Sequence, residues 1–184
     1  MFKTLEGRLV NLRVAEKEDV QVFTNWISDL EFLGKYDPVI QLSTAEVEKR
    51  LVNPQQEDRD FIIEKKDGTK IGFINHFTFG RQLEIGFALV PSERRKGYCT
   101  EAVNIMIDYL FLSKNTVRVQ AATNVENVPC QRVLDKAGFQ KEGRLRKSYF
   151  VRGEWKDIFM YSILREEWKE PRILMRKELG SGSS

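Results

Sequence analysis

The segment from Glu84 to Glu101, EIGFALVPSERRKGYCTE, sets the tightest limit on what this chain can fold into. Leu83, Ile85, Phe87 and Leu89 alternate with Glu84, Gly86, Ala88 and Val90, so a strand here sends large apolar side chains to one face and small ones, with one carboxylate, to the other. Pro91 cannot continue the ladder, and Arg94, Arg95, Lys96 and Gly97 lead into the helical run Ala102, Val103, Met106, Tyr109 and Leu110. The amides at that helix start have no intrahelical partner. With the helix dipole and three cationic side chains beside a glycine, they make an anion site, or more plainly a basic turn that caps a helix.

The 184 residues suffice for one core, and a net charge of +3 with acids and bases interspersed lacks the basic face that nucleic-acid binding needs. Two cysteines do not make a disulfide framework, and one histidine leaves no metal cluster, so no metal is expected. The N-terminus has neither the apolar core nor the cleavage pattern of a leader, and no apolar run spans a bilayer; a cytoplasmic protein without membrane contact is expected.

In chain order, Arg8 to Val14 alternates as a strand and Ala15 to Leu30 has helical spacing. Ser43 and Glu46 form a capping box, stapled by Leu42 and Val47, that starts a second helix ending near Asn53. Strands are predicted at 61–65, 71–79 and 83–90, with Asp67-Gly68 as a hairpin turn, and a helix at 100–112. A strand over 117–121 would then pair in parallel through a right-handed crossover. A helix over 127–137 closes at Gly138, strands follow at 139–143, 148–152 and 155–164, and a last helix is predicted over 169–179. Residues 1–179 form one domain, and 180–184, GSGSS, are a flexible tail.

Arg94 to Cys99, RRKGYC, resembles the acyl-CoA pyrophosphate loop of the GNAT acetyltransferase superfamily, Q/R-x-x-G-x-G/A, with Cys99 where the family has glycine or alanine. Asn127 to Phe139 resembles the family's N-x-x-S/A-x-x-x-[LY]-x-x-x-GF segment in spacing and in its Gly-Phe ending. Glu142 to Arg146, Gly153, Trp155, Asp157 and Leu164 to Trp168 are similar to the branch holding ribosomal-protein N-terminal and spermidine acetyltransferases. The resemblance runs from about Leu9 to Trp168 and implies an α/β fold: a mixed, mostly antiparallel sheet of six to seven strands, splayed at its centre and flanked by about four helices.

It further implies direct transfer of an acetyl group from acetyl-CoA to a primary amine. Backbone groups of Leu89 and Val90 would meet the pantetheine, and the amides of Arg94, Arg95, Lys96, Gly97, Tyr98, Cys99 and Thr100 would hold the pyrophosphate, with Asn127 also at the cofactor. An amide of Leu89 or Val90 would polarise the thioester carbonyl. Amines titrate near 8 at an N-terminus and above 10 on a side chain, so a base is useful. Glu84 is the candidate base; its other reading is a strand glutamate paired with a cation. The tyrosine that many relatives use as general acid falls on Leu134, so Cys130 is the candidate acid, its other reading being a small cysteine packing helix on sheet. Tyr98 and Tyr149 are weaker acid candidates, and His76 reads as structural.

The acceptor groove is expected between the 29–41 loop with its following helix and the strands around 144–155. Asp29, Glu31, Asp37, Glu57 and Asp58 would attract a cationic amine or simply be solvated. A protein or peptide N-terminus ranks first as acceptor, and a polyamine or aminoglycoside-like amine second. A non-catalytic acyl-CoA-binding regulatory module is the alternative function, and the assembly is expected to be a monomer or homodimer.

Overall fold

The structure, a computed structural model, describes residues 4–54 and 58–173. The alternation at 83–90 produces strand β5 (Gln82–Leu89), the middle of one eight-stranded sheet. Before it come β1 (Thr4–Glu6), β2 (Val10–Val14), β3 (Arg59–Lys65) and β4 (Lys70–Phe79), and after it β6 (Arg118–Asn124), β7 (Gln140–Val151) and β8 (Glu154–Leu164). Their order across the sheet is β1-β2-β3-β4-β5-β6-β8-β7, and every neighbouring pair is antiparallel except β5 and β6. The sheet therefore has more strands than the six to seven expected, because β1 lengthens one edge.

Helices α1 (Val20–Ser28), α2 (Leu30–Leu33) and α3 (Thr44–Val52) cover one face, and α4 (Tyr98–Ser113) and α5 (Val128–Ala137) cover the other. The first helical stretch breaks at Asp29, whose side chain accepts from Glu31 N and starts α2 afresh. Ser43 and Glu46 form the capping box as the residue pattern predicts. The strands expected at 139–143 and 148–152 are one edge strand, β7, whose register shifts absorb the extra residues. Residues 169–173 contain no helix, and the remainder of the helix predicted over 169–179 lies outside the described residues, as does the tail.

The two faces of β5 feed two cores. Ile85 and Leu89 are buried beneath α4 and α5 with Val103, Ile105, Met106 and Leu134, while Ala88 packs on the cluster of Phe23, Trp26, Phe32 and Ile62. Each fully buried large side chain stabilises the fold by about 1.5–3 kcal/mol. His76 is fully buried, its ring 6.2 Å from that of Phe61 and 6.0 Å from that of Tyr109, a packing position.

Candidate active site

The parallel pair is the place where the sheet opens. Leu83 pairs with Val119 and Glu84 with Gln120, and pairing stops there although β5 runs on to Leu89 and β6 to Asn124. Beyond Glu84 the two strands are bound only to their outer neighbours, β4 and β8. Glu84 thus sits at the fork of a V-shaped gap. Gln120 Nε2 donates to its Oε2 at 3.0 Å, and burial lifts its carboxyl above the ordinary glutamate range against the lowering effect of that bond. The cation-paired reading of Glu84 fails: its partner is an amide.

Which backbone groups line the gap follows from the β4–β5 register. Val90 N donates to Ile71 O at 2.9 Å, and the ladder runs without a bulge from the Gly72–Leu89 pair to the Phe79–Gln82 pair. Alternate residues of an antiparallel strand bond to opposite sides. Gly86, Ala88 and Val90 therefore bond toward β4, and the amides and carbonyls of Ile85, Phe87 and Leu89 face the gap. This corrects the expectation for Val90, whose N–H is held by Ile71 and whose carbonyl accepts from Glu93 N at 3.0 Å. Leu89 keeps its amide, since its carbonyl accepts from Arg94 Nε at 3.0 Å. Phe87, which the sequence did not single out, offers both groups. Gly86 is required on the small face because a Cβ there would lie 2.8 Å from Asn75 Oδ1.

The cationic turn leads directly into α4. Gly97, in the left-handed region at φ 86, is the N-cap residue and gives no side-chain cap, so the first-turn amides of Tyr98, Cys99 and Thr100 are left for a ligand. Arg95 is also left-handed, at φ 66, and curls the turn. Arg94 is a strut: besides Leu89 O it donates through Nη2 to Phe32 O at 2.6 Å, which ties α2 to the end of β5. Lys96 Nζ lies 3.0 Å from Glu93 Oε2. An uncapped helix start beside an open strand edge fits the pyrophosphate and pantetheine of acetyl-CoA, with the Leu89 and Phe87 amides as strand-like partners.

Asn127 caps α5, its Oδ1 accepting from Cys130 N at 3.3 Å, so its side chain is engaged in structure. Cys130 sits in the first turn of α5. Burial pushes its thiol up to about 11, a hydrogen bond with Thr123 acting in the other direction. Cys99 is raised as well, by burial and then by the neighbouring Cys130. The two thiols are therefore neighbours at the facing starts of α4 and α5. Both hold their protons at neutral pH, so neither is a ready thiolate nucleophile, and the rise makes Cys130 a weaker proton donor than a free thiol.

The groove walls expected on either side of the gap do meet. Arg152 Nη2, at the tip of the β7–β8 hairpin, donates to Gly34 O at 2.6 Å, and Tyr36 OH donates to Glu126 O at 2.8 Å. A cavity of about 250 Å³ lies between them, lined by Lys35, Tyr36, Glu126, Arg152, Glu154 and Lys156 among others. Of the acids in this region, Asp29 caps α2, Asp58 accepts from Thr78 N at 3.1 Å, and Glu57 lies outside the described residues. Asp37 is exposed, within electrostatic reach of Arg94 and Arg152. The surrounding walls raise its carboxyl, Arg94 and Arg152 act against that shift, and it in turn raises Tyr149 and Cys130.

Several residues that mark the family branch are also ties within the fold. Arg165 donates to the carbonyls of Phe111 in the last turn of α4 and of Lys114 and Thr116 just beyond it, Trp168 Nε1 donates to Asp108 at 2.8 Å, and Asp157 holds Arg144 Nε at 2.6 Å and Lys147 N at 2.8 Å. Gln120 and Thr123 escaped notice although a polar side chain in a buried strand needs a partner, which is a signal the sequence contained.

Residues 9–140 match the family model described as an acetyltransferase (GNAT) domain. The chain is 33% identical over 177 residues to the uncharacterized N-acetyltransferase p20 of Bacillus licheniformis, covering 91% of this chain and 99% of that one. Its fold is similar to a ribosomal-protein-S5-alanine acetyltransferase from Vibrio fischeri (TM-score 0.79, 23% identity, 91% and 100% of the chains). It is also similar to spermidine N-acetyltransferase from Vibrio cholerae in complex with CoA and spermine (TM-score 0.78, 22% identity, 88% and 99%). With the forked sheet, the uncapped helix start and the matched domain in agreement, this chain belongs to the GNAT family of acetyl-CoA-dependent N-acetyltransferases.

Proposed function

We propose that the acceptor is a protein or peptide N-terminus, deprotonated by Glu84, and that Cys130 protonates the departing thiolate. The observation that carries the base assignment is the position of Glu84 at the fork, where its lifted carboxyl and single neutral partner leave it ready to take a proton near the reacting atoms. Acetyl-CoA supplies the activated acyl group. The chain's own part is to align that group along β5, to direct the Phe87 or Leu89 amide at its carbonyl oxygen, and to move protons at Glu84 and Cys130.

The charge around the groove supports a peptide over a polyamine. Lys35, Arg152 and Lys156 line the cavity at the rim, with Glu126 and Glu154 opposing them, and Glu154 is itself paired with Lys156. A polyamine carries several positive charges and would meet a rim where three cations outnumber two carboxylates. A peptide presents one amine, which Asp37 attracts, followed by neutral or acidic residues that the cationic rim suits. Exposed Phe150 and Trp155, in edge-to-face contact at 5.5 Å on the hairpin, add an apolar surface beside the rim.

A thiol-release assay with acetyl-CoA tests this over peptides beginning with alanine or serine, spermidine and an aminoglycoside. The peptides, above all those with acidic second and third residues, are expected to give the highest kcat/KM. Spermidine or the aminoglycoside turning over tenfold faster than every peptide would overturn the acceptor assignment while leaving the transferase chemistry intact.

A further inference from the structure

The β1–β2 turn reaches the cofactor cradle because α4 holds it there. Glu101, in the first turn of α4, accepts from Arg8 N at 3.1 Å through Oε1, and from Leu9 N at 2.6 Å and Val10 N at 2.8 Å through Oε2. A carboxylate so near a helix start would oppose a bound anion, but three amides offset its charge. The turn lies against the cradle itself: a Cβ on Gly97 would be 3.8 Å from Leu9 Cδ1. Arg8 is exposed there.

Most cations around the cradle already have partners. Arg94 serves Leu89 O and Phe32 O, Lys96 and Lys65 share Glu93 at 3.0 and 3.7 Å, and Lys66 Nζ is 2.5 Å from Asn11 Oδ1. Among the described residues, no side-chain partner lies within bonding distance of Arg8 or Arg95; Arg8 adjoins Leu9, which lies against Gly97, and Arg95 is in the turn just before that glycine. CoA carries a pyrophosphate and, separately, a phosphate on the ribose 3′-hydroxyl. The α4 amides account for the first. The second is a compact dianion that needs a cation of its own, and a guanidinium matches it with two parallel hydrogen bonds.

We propose that Arg8 binds the ribose 3′-phosphate of CoA, making the β1–β2 turn the element that distinguishes CoA from its 3′-dephospho form. This rests on the acetyl-CoA site described above. In calorimetric titrations of the full chain, acetyl-CoA is expected to bind roughly tenfold or more tightly than 3′-dephospho-acetyl-CoA, the range for one hydrogen-bonded charge pair. Arg8→Ala should weaken acetyl-CoA to the level of the dephospho form and bind the two equally, and Arg8→Lys should restore part of the difference. The backbone bonds to Glu101 do not involve the Arg8 side chain, so a melting temperature equal to wild type is expected of both variants. An Arg8→Ala protein that retains the full preference would overturn the proposal, as would one that loses both ligands in equal proportion, which would assign Arg8 to the pyrophosphate. Wild type that binds neither ligand would instead remove the acetyl-CoA site on which the proposal stands.

Discussion

Two carboxylates, the fully buried Asp19 and the half-buried Glu84, both lose hydration and answer it in opposite ways. Asp19 is fully buried behind β2, where burial pushes its carboxyl up. Hydrogen bonds from both Arg13 nitrogens at 2.9 Å, from Lys70 at 2.6 Å and from Glu16 N at 2.9 Å outweigh this and hold it below the ordinary range. Glu84 receives one amide bond at the fork and stays above the ordinary range. A carboxylate with cations on both oxygens has become part of the framework, whereas one with a single neutral partner keeps its proton affinity for use. The signs differ accordingly. The stability that Asp19 contributes is present at neutral pH and lost as pH falls through its lowered range; ionised Glu84 costs stability, and that cost appears as pH rises through its raised range.

The sharpest way to break this comparison is Asp19→Ala, which leaves the buried Arg13 without its main partner. About 3–5 kcal/mol of unfolding free energy should disappear in urea denaturation, with the turnover of the remaining folded protein near normal. A loss below about 1 kcal/mol would mean that Asp19 resembles a surface ion pair. Glu84→Gln should do the converse: kcat lower by at least roughly 10²-fold, the acid limb of the pH profile abolished, and a melting temperature equal to wild type or higher because the charge penalty is gone. Gln120→Leu is a finer test. It removes the one bond that lowers the Glu84 carboxyl, so the acid limb should move to higher pH while kcat at neutral pH falls roughly tenfold. An acid limb that moves to lower pH would show that Gln120 does not act through Glu84. The smallest effect is expected far from both carboxylates, at the α3 cap: Ser43→Ala should cost about 1 kcal/mol and roughly 2–4 °C of melting temperature, with kinetics unaltered.

Local features were legible where the physics is local. The capping box at Ser43, the alternation of β5 and the glycine before α4 each follow from neighbouring residues, and the structure has them where the sequence places them. Legibility failed where a residue's role depends on a distant partner. Val90 is adjacent to Leu89, yet hydrogen-bond parity with β4 turns their backbone groups to opposite sides. Arg165 and Trp168 read as family marks, and only the structure shows that they also tie the chain after β8 to α4. Cys99 and Cys130, remote from each other in the chain, are brought near one another by the packing of α4 against α5.

Sequence alone determined that a strand, a cationic turn and a helix start would form an anion cradle beside a carboxylate, since strand pleat, proline and glycine conformations and helix-terminal amides are properties of a short stretch. Only the tertiary structure decided that β5 and β6 part after Glu84, that Gln120 is the partner at the fork, and that Glu101 draws Arg8 to the cradle. Those outcomes are set by register and packing between segments remote in the chain, whose free energies no single stretch contains.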